Sequence, residues 1–457
     1  MSADAVTWFH HRFDERCDDA SVEVVGDGSL PSAYAVTEFA SAAVAAAASA
    51  TQRLVEAVGG GTRRVVVDRR LASLWFAWTL RPDGWTVPAP WDPIAGDYPT
   101  ADGWVRLHTN APHHRDAALR VLGVEPDRTV VADAVLRWAG AELERSVVDA
   151  GGCAAEMRSA SAWAIHPQGS AVAGEPLLAR RTVGSAPIRR QTTATTERPL
   201  EGVRVLDLTR VLAGPVGTRF LAGLGADVIR IDPPGWDEPA VAPEVTLGKR
   251  CHRVDLRRDA GRIAVRALLR DADIVVHGYR PGALAALGLD EHDRRELAPA
   301  LIDVSLCAYG HAGPWAGRRG FDSLVQMSCG IAHEGMVRSG GERPFPLPVQ
   351  ALDHATGYLL AMAAIDGWVD RLTTGCGTVA TASLARTASL LMTGPEGDLG
   401  ASMAPATPAD ESPAVETTWW GPARRLRPPI AIDGVPLRWD RGASALGSNQ
   451  GPPAWSL

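Results

Sequence analysis

A chain of 457 residues with 46% hydrophobic and 22% charged residues is long enough for two or three domains and has the composition of a folded core, not of a disordered chain. Its formal net charge of −7 and pI near 6.0 argue against a protein built to coat nucleic acid or an anionic membrane surface. Six dispersed cysteines (Cys17, Cys153, Cys251, Cys307, Cys329 and Cys376), none in a C-x-x-C pair, suggest neither a zinc site nor a disulfide framework and suit a reducing cytoplasm.

The polar, acidic start "MSADAVTWFHHRFDERCDDA" lacks the basic and apolar regions of a signal peptide, and no stretch of about 18 uncharged apolar residues follows. The expectation is a cytoplasmic protein without a membrane or nucleic-acid partner.

Residues 29 to 75 echo residues 346 to 391. "LPSAYAVTEFASAAVAAA" pairs with "LPVQALDHATGYLLAMAA", and "GTRRVVVDRRLASLW" pairs with "GTVATASLARTASLL". Each copy reads as an Ala-rich helix, a Gly turn, a strand-like stretch and a second helix. A chance match between alanine-rich helices is the bland alternative. The shared Leu-Pro and Gly-Thr ends favour duplication. In this alignment Val36 stands opposite Asp353, so residues 1–82 are expected to be a partial duplicate lacking the acid.

Residues 83–198 carry a Trp- and His-containing block, expected to be a small domain, and a Thr- and Arg-rich connector around 180–202, expected to be the boundary. From Val203 the texture changes. "VRVLDL", "AGPVGTRFLAGLGA" and "DVIRID" read as strand, helix and strand, and the alternation continues through "AGRIAVRALLRDADIVVHGYRPGALAALGL" and "PALIDVSLCAYG". Residues 199–392 are therefore expected to form an α/β domain with an open, doubly wound, Rossmann-like parallel sheet. Residues 393–457, rich in Pro, Gly and Ser, read as an extended strap.

The turn after the first of these strands would aim backbone N–H groups at a phosphate, and Asp232 ends the second strand where a ribose or adenine commonly lies. The glycine spacing is not G-x-G-x-x-G, which argues against a nicotinamide cofactor. Lys249, Arg250, His252, Arg253 and Arg257 cluster in one run, and Arg280 follows Tyr279 at a strand end. Such groups suit an adenine nucleotide with several phosphates, while a solvated charged face is the usual explanation of a basic run. His108, His113 and His114 lack metal-site spacing, and surface or hydrogen-bonding roles are favoured for them. Asp353, near a helix start, reads first as a cap; the rival reading is a carboxylate nucleophile.

Together, "RPLEGVRVLDLTRVLAGPVGTRFLAGLGADVIRID", "GKRCHRVDLR", "ADIVVHGYRPGALAALGL", "PALIDVSLCAYGHAGPWAGRRGFDSLVQMSCGI" and "LPVQALDHATGYLLAMAAIDGWVDR" resemble the class III CoA-transferases, which include formyl-CoA transferase, carnitine CoA-transferase and 2-methylacyl-CoA racemase. The resemblance implies a Rossmann-like domain and a smaller α+β domain linked by long helices, in an interlocked homodimer. Residues 83–198 look like the family's small domain and closing segment in permuted order.

By the same resemblance Asp353 attacks an acyl-CoA thioester, and an ordinary Asp pKa near 3.9 would keep it ionised. No metal or tightly bound cofactor is implied; coenzyme A and a carboxylic acid are substrates. Gly340 and Gly341 are the candidate oxyanion loop. Arg210, Val211, Ala213, Asp232, Lys249, Tyr279 and Arg280 are the CoA-binding candidates. Phe321 occupies the position of the racemase histidine, followed by Asp322, and phenylalanine cannot exchange a proton. Transfer is thus favoured over racemisation, with a catalytically degenerate CoA-binding protein as the further alternative. His354 is a site-lining candidate without a role.

Overall fold

The computed structural model describes residues 2–17, 22–187 and 193–456, so residues 188–192 of the expected boundary lie outside the described residues. Its main sheet contains β1 (Ala179–Ser185), β2 (Arg204–Leu208), β3 (Asp227–Asp232), β4 (Lys249–Arg253), β5 (Ile274–His277), β6 (Ile302–Cys307) and β7 (Cys376–Ser383). The helices used below are α1 (Val36–Ala57), α2 (Pro112–Leu122), α3 (Ala213–Gly223), α4 (Asp259–Asp271), α5 (Asp322–Cys329), α6 (Ala351–Thr374) and α7 (Leu384–Thr393).

The strand order is β4-β3-β2-β5-β6-β7-β1. All neighbours pair parallel except β1, which pairs antiparallel with β7. The expected parallel sheet is therefore corrected to a mixed one. An edge strand entering from outside the βα alternation can run either way, because no crossover helix constrains it.

Alternate residues of the central strands face opposite cores. Val205, Val228, Ile274 and Ile302 join a core with residues of α1, α3 and α6, whereas Leu206, Ile229 and Val275 pack with Val265, Leu268 and Leu269 of α4. Both faces are dry, which explains the almost continuous apolar runs of these strands.

The alanine-rich α1 is buried along most of its length, and it packs against α6. Small side chains let the two backbones approach, and Arg53 of α1 pairs with Asp366 of α6 at 2.9 Å and with Asp14 at 2.8 Å.

The two echoing segments enter their helices by the same turn. Ala35 has φ −72° and ψ 64°, Gln350 has φ −78° and ψ 65°, and the first helical N–H donates two residues back, Val36 to Tyr34 at 2.7 Å and Ala351 to Val349 at 2.8 Å. The strand Val65–Asp68 runs parallel to Val22–Val25 and antiparallel to Ile430–Ile432, as β7 runs parallel to β6 and antiparallel to β1. Counted from these helix starts, the residue opposite Asp353 is Glu38, not Val36. The alignment on Leu-Pro misplaced it because the stretch between the proline and the helix is two residues shorter in the second segment. Glu38 is ion-paired with Arg69, which closes it off from chemistry.

The small sheet of Gly96–Pro99, Trp104–Leu107 and Ala154–Glu156 has its own core, with Ile94, Tyr98, Val105 and Leu107 packed under Val131, Leu143 and Val147. Its helix α2 begins at Pro112, a favourable first helical position. Residues 416–425 form a hairpin that takes Leu80–Pro82 as its third strand, and Trp439 stacks on Trp75 at 5.9 Å. Glu244 ties these parts together: it accepts from Thr79 N at 2.6 Å and Leu80 N at 2.8 Å and pairs with Arg219 at 3.0 Å and Arg425 at 3.1 Å.

Candidate active site

Between β2 and β5 the strand order reverses direction along the chain, so the connections leaving their carboxyl ends diverge and leave a crevice. A cavity of about 530 Å³ opens there. Leu208 to Ala213 after β2, Gly278 to Arg280 after β5 and Leu306 to Ala308 at the end of β6 form its floor. His113 and His114 of α2 and the run Arg318 to Phe321 form its other walls, and Asp353 reaches it from α6.

Val211 marks the turn after β2. Among the described residues it is the one non-glycine with positive φ, 63°, a costly conformation for a β-branched side chain. Its N–H donates to Glu238 at 2.7 Å, and the same carboxylate binds Trp236 Nε1 at 2.6 Å and Arg230 at 2.8 Å. The guanidinium of Arg210 lies 5.0 Å from the Trp236 ring and 5.4 Å from the Tyr279 ring, an aromatic seat for a cation on the cavity wall.

Asp353 is the third residue of α6, 7% exposed. Its approach to the turn after β2 is set by two glycines. A Cβ on Gly357 would stand 2.5 Å from Ala213 O, and one on Gly217 would stand 2.7 Å from Gly357 O. The two backbones thus touch one turn beyond the acid.

The capping role first read for Asp353 belongs to another residue. No side chain of its own segment caps α6; the Asp322 carboxylate accepts the N–H of Leu352 at 2.9 Å and of Asp353 at 3.0 Å. Gln326 donates to Asp322 and accepts from Leu347 N at 2.8 Å, so α5 fixes the entry to α6. No hydrogen bond from another described residue reaches the Asp353 carboxylate.

Burial raises the pKa of Asp353 well above the ordinary carboxylate value, and the Asp322 charge raises it further. The expectation of an unperturbed acid is corrected accordingly. Burial likewise pushes Asp322 up to about 6, against the pull of the amides it accepts from.

The cavity brings together Asp353, Arg210, Val211, Ala213, Tyr279, Arg280 and Phe321. Other expected residues stand elsewhere. Gly340 N donates to Val337 O at 3.1 Å and Gly341 N to Met336 O at 3.0 Å, closing a helix end, and neither glycine lines the cavity; their oxyanion role is not carried by this conformation. Lys249 is enclosed, with Nζ 2.9 Å from Asp207 and 2.6 Å from Thr218, and so does not face a phosphate here. Asp232 is fully buried on Arg230 at 2.9 Å, not open to a ribose. Asp322 lies behind the wall. His354 stacks on Phe76 at 5.0 Å, and burial lowers it to about 3, so it is a neutral core group.

Of the histidines of "HTNAPHHR", His113 is exposed as expected, while His108 and His114 are not at the surface. His108 stacks on Phe321 at 3.8 Å, His114 meets Phe321 edge-on at 5.9 Å, and His108 and His114 are buried. Only the folding of the small sheet against α5 places them there, so spacing in the sequence held no signal for it.

Residues 200–413 match CoA-transferase family III. Human succinyl-CoA:glutarate CoA-transferase is 36% identical over 193 residues, covering 39% of this chain and 44% of that one. The probable fatty acyl-CoA transferase Rv3272 of Mycobacterium tuberculosis is 34% identical over 201 residues, covering 41% and 50%. A crystal structure of Rv3272 matches 42% of this chain and 54% of that one at 34% identity, with a TM-score of 0.39. The chain spans about half the length of the curated relatives it matches. Among its described residues no helix is long and apolar enough to cross a membrane.

Proposed function

We propose that this chain transfers coenzyme A from an acyl-CoA to a carboxylic acid, with Asp353 as the covalent nucleophile. One observation carries the reading: among the residues lining the cavity, Asp353 is the sole carboxylate, set against four arginines at the carboxyl ends of the sheet. Coenzyme A and the acyl donor are its substrates. Arg210, Tyr279 and Arg280 would receive the nucleotide end, where two guanidinium groups and an aromatic face meet.

The ionised carboxylate attacks the thioester carbonyl; the C–S bond breaks, and CoA leaves as a thiolate beside a mixed anhydride. The thiolate then attacks the aspartyl carbonyl of the anhydride, releasing the donor acid as a carboxylate and leaving an aspartyl-CoA thioester. The acceptor carboxylate attacks this thioester, expelling the thiolate and forming a second anhydride. Return of the thiolate to the acceptor's carbonyl gives the new acyl-CoA and restores Asp353. No net proton is consumed. The raised basicity of Asp353 makes the ionised form a stronger nucleophile and reduces the ionised fraction at low pH.

Two further parts of the reading are a homodimer, which the resemblance implies and light scattering on the eluting protein would test, and a cytoplasmic site of action, which the dispersed cysteines suit. The mechanism is tested by incubating the protein with a panel of acyl-CoAs, quenching with hydroxylamine or borohydride, and mapping modified peptides by mass spectrometry. Modification at Asp353 is expected. Absence of any adduct, together with solvent deuterium entering the substrate α-carbon, would replace transfer by isomerisation; absence of both with CoA still bound would leave a binding role.

A further inference from the structure

Within the same cavity, two polar side chains have no part in the chemistry just described. Arg319 is exposed on the wall and makes no hydrogen bond or ion pair with another described residue. The other cavity arginines are engaged: Arg210 stacks between Trp236 and Tyr279, Arg280 donates to Gly317 O at 2.7 Å, and Arg318 binds Ala154 O at 2.7 Å and pairs with Glu144. His114 is 2% exposed, lines the cavity, and has no partner at either ring nitrogen. A buried imidazole with neither nitrogen satisfied is costly unless something else fills the place.

We propose that Arg319 and His114 together receive a second carboxylate on the acid substrate, so that the preferred acids are dicarboxylic. This rests on the transfer function proposed above. The acid's reacting carboxylate must face Asp353, and a simple fatty acid would leave the guanidinium and the imidazole unsatisfied. A carboxylate satisfies both, since its two oxygens accept from the planar guanidinium fork and from the imidazole N–H. Burial, with the neighbouring His113 imidazole and the Arg319 charge, holds His114 down to about 3, so it meets the anion as a neutral donor. The Phe321 ring lies edge-on to His114 and directly precedes Asp322, whose carboxylate holds the amide of Asp353. The second-carboxylate end and the reacting end are thus walls of one cavity.

The test is binding, independent of turnover. Glutarate and pentanoate, equal in chain length, are titrated calorimetrically into the full chain, wild type and the variants Arg319→Leu, Arg319→Lys and His114→Phe. Wild type is expected to bind glutarate about tenfold or more tightly than pentanoate. Arg319→Leu and His114→Phe each remove most of that preference, Arg319→Lys keeps part of it, and CoA affinity stays within about twofold of wild type. Equal binding of the two acids by wild type overturns the proposal, as does an unchanged preference in the variants. If Arg319→Leu weakens CoA and spares glutarate, the anion held is a CoA phosphate and the proposal fails. Should Arg319→Leu or His114→Phe not fold, the graded loss in Arg319→Lys decides. A preference for glutarate in a protein that never labels at Asp353 would refute the transfer reading and leave this one standing.

Discussion

The carboxylate of Asp322 accepts the backbone N–H of Asp353 at 3.0 Å, so one acid holds the main chain of the other while its charge opposes the other's ionisation. Position and electrostatics are coupled at this contact, which comes from a different helix 31 residues earlier in the chain.

Asp322→Asn separates the two effects, because the amide oxygen can still accept the two N–H groups. The pKa of Asp353 is raised first by burial and second by the Asp322 charge; removing the charge lowers it part of the way back. The acid limb of the kcat/KM profile is expected to move to lower pH. An unmoved limb in a correctly folded variant would show that Asp322 serves geometry alone.

Asp353→Asn is expected to reduce transfer by roughly 10³-fold or more, the scale on which loss of a nucleophile acts. It also bears on stability. Asp353 is protonated more readily in the folded than in the unfolded chain, so ionisation costs stability as pH rises past the ordinary carboxylate value, and the cost is complete above the folded pKa. The asparagine variant should therefore melt higher than wild type at pH 8, by roughly 2–4 °C, with little difference at pH 4. Scanning calorimetry at the two pH values measures this.

Lys249→Met tests the inward position of a lysine expected at a phosphate. With Nζ 2.9 Å from Asp207 and both side chains fully enclosed, loss of the ammonium leaves a buried carboxylate uncompensated, which costs about 3–5 kcal/mol. Urea unfolding should register that loss, and the double variant with Asp207→Leu should recover much of it. A KM increase for acyl-CoA without loss of stability would restore the phosphate role.

Glu244→Ala should be among the most destabilising single changes. It strands Arg219 and Arg425 and frees the N–H groups of Thr79 and Leu80, joining a penalty of about 3–5 kcal/mol to lost backbone partners. Limited proteolysis is expected to cut first in the segment after residue 393, which Arg425 helps to anchor. A protease-resistant tail in this variant would assign the anchoring to Trp439 on Trp75 instead.

The βα alternation from residue 203 onward was legible because strands buried on both faces and helices buried on one leave different apolar periods. The turns at the ends of β2 and β5 were legible for the same reason, since they lie at fixed places in that alternation and Tyr279 and Arg280 fall at one of them; Arg210, Val211 and Ala213 were named by the family resemblance. Lys249 and Asp232 were misplaced because a charged residue on a strand looks the same in sequence whether it faces a crevice or a buried counter-ion. The Gly-Gly pair misled similarly, since Gly340 in a left-handed turn ends a helix as readily as it opens a binding loop.

By itself the sequence determined the strands and helices of the sheet domain, the placing of an acid at the start of a long helix, and the likeness of two segments. Each of these is written in neighbouring residues, through periodicity and turn chemistry. The tertiary structure decided which acid is opposite Asp353 in the earlier segment, which acid caps its helix, how its ionisation is biased, and that His113 and His114 of α2 wall its cavity. Those facts depend on pairs of residues brought together across tens to hundreds of positions, where burial and charge act through space and no local pattern records them.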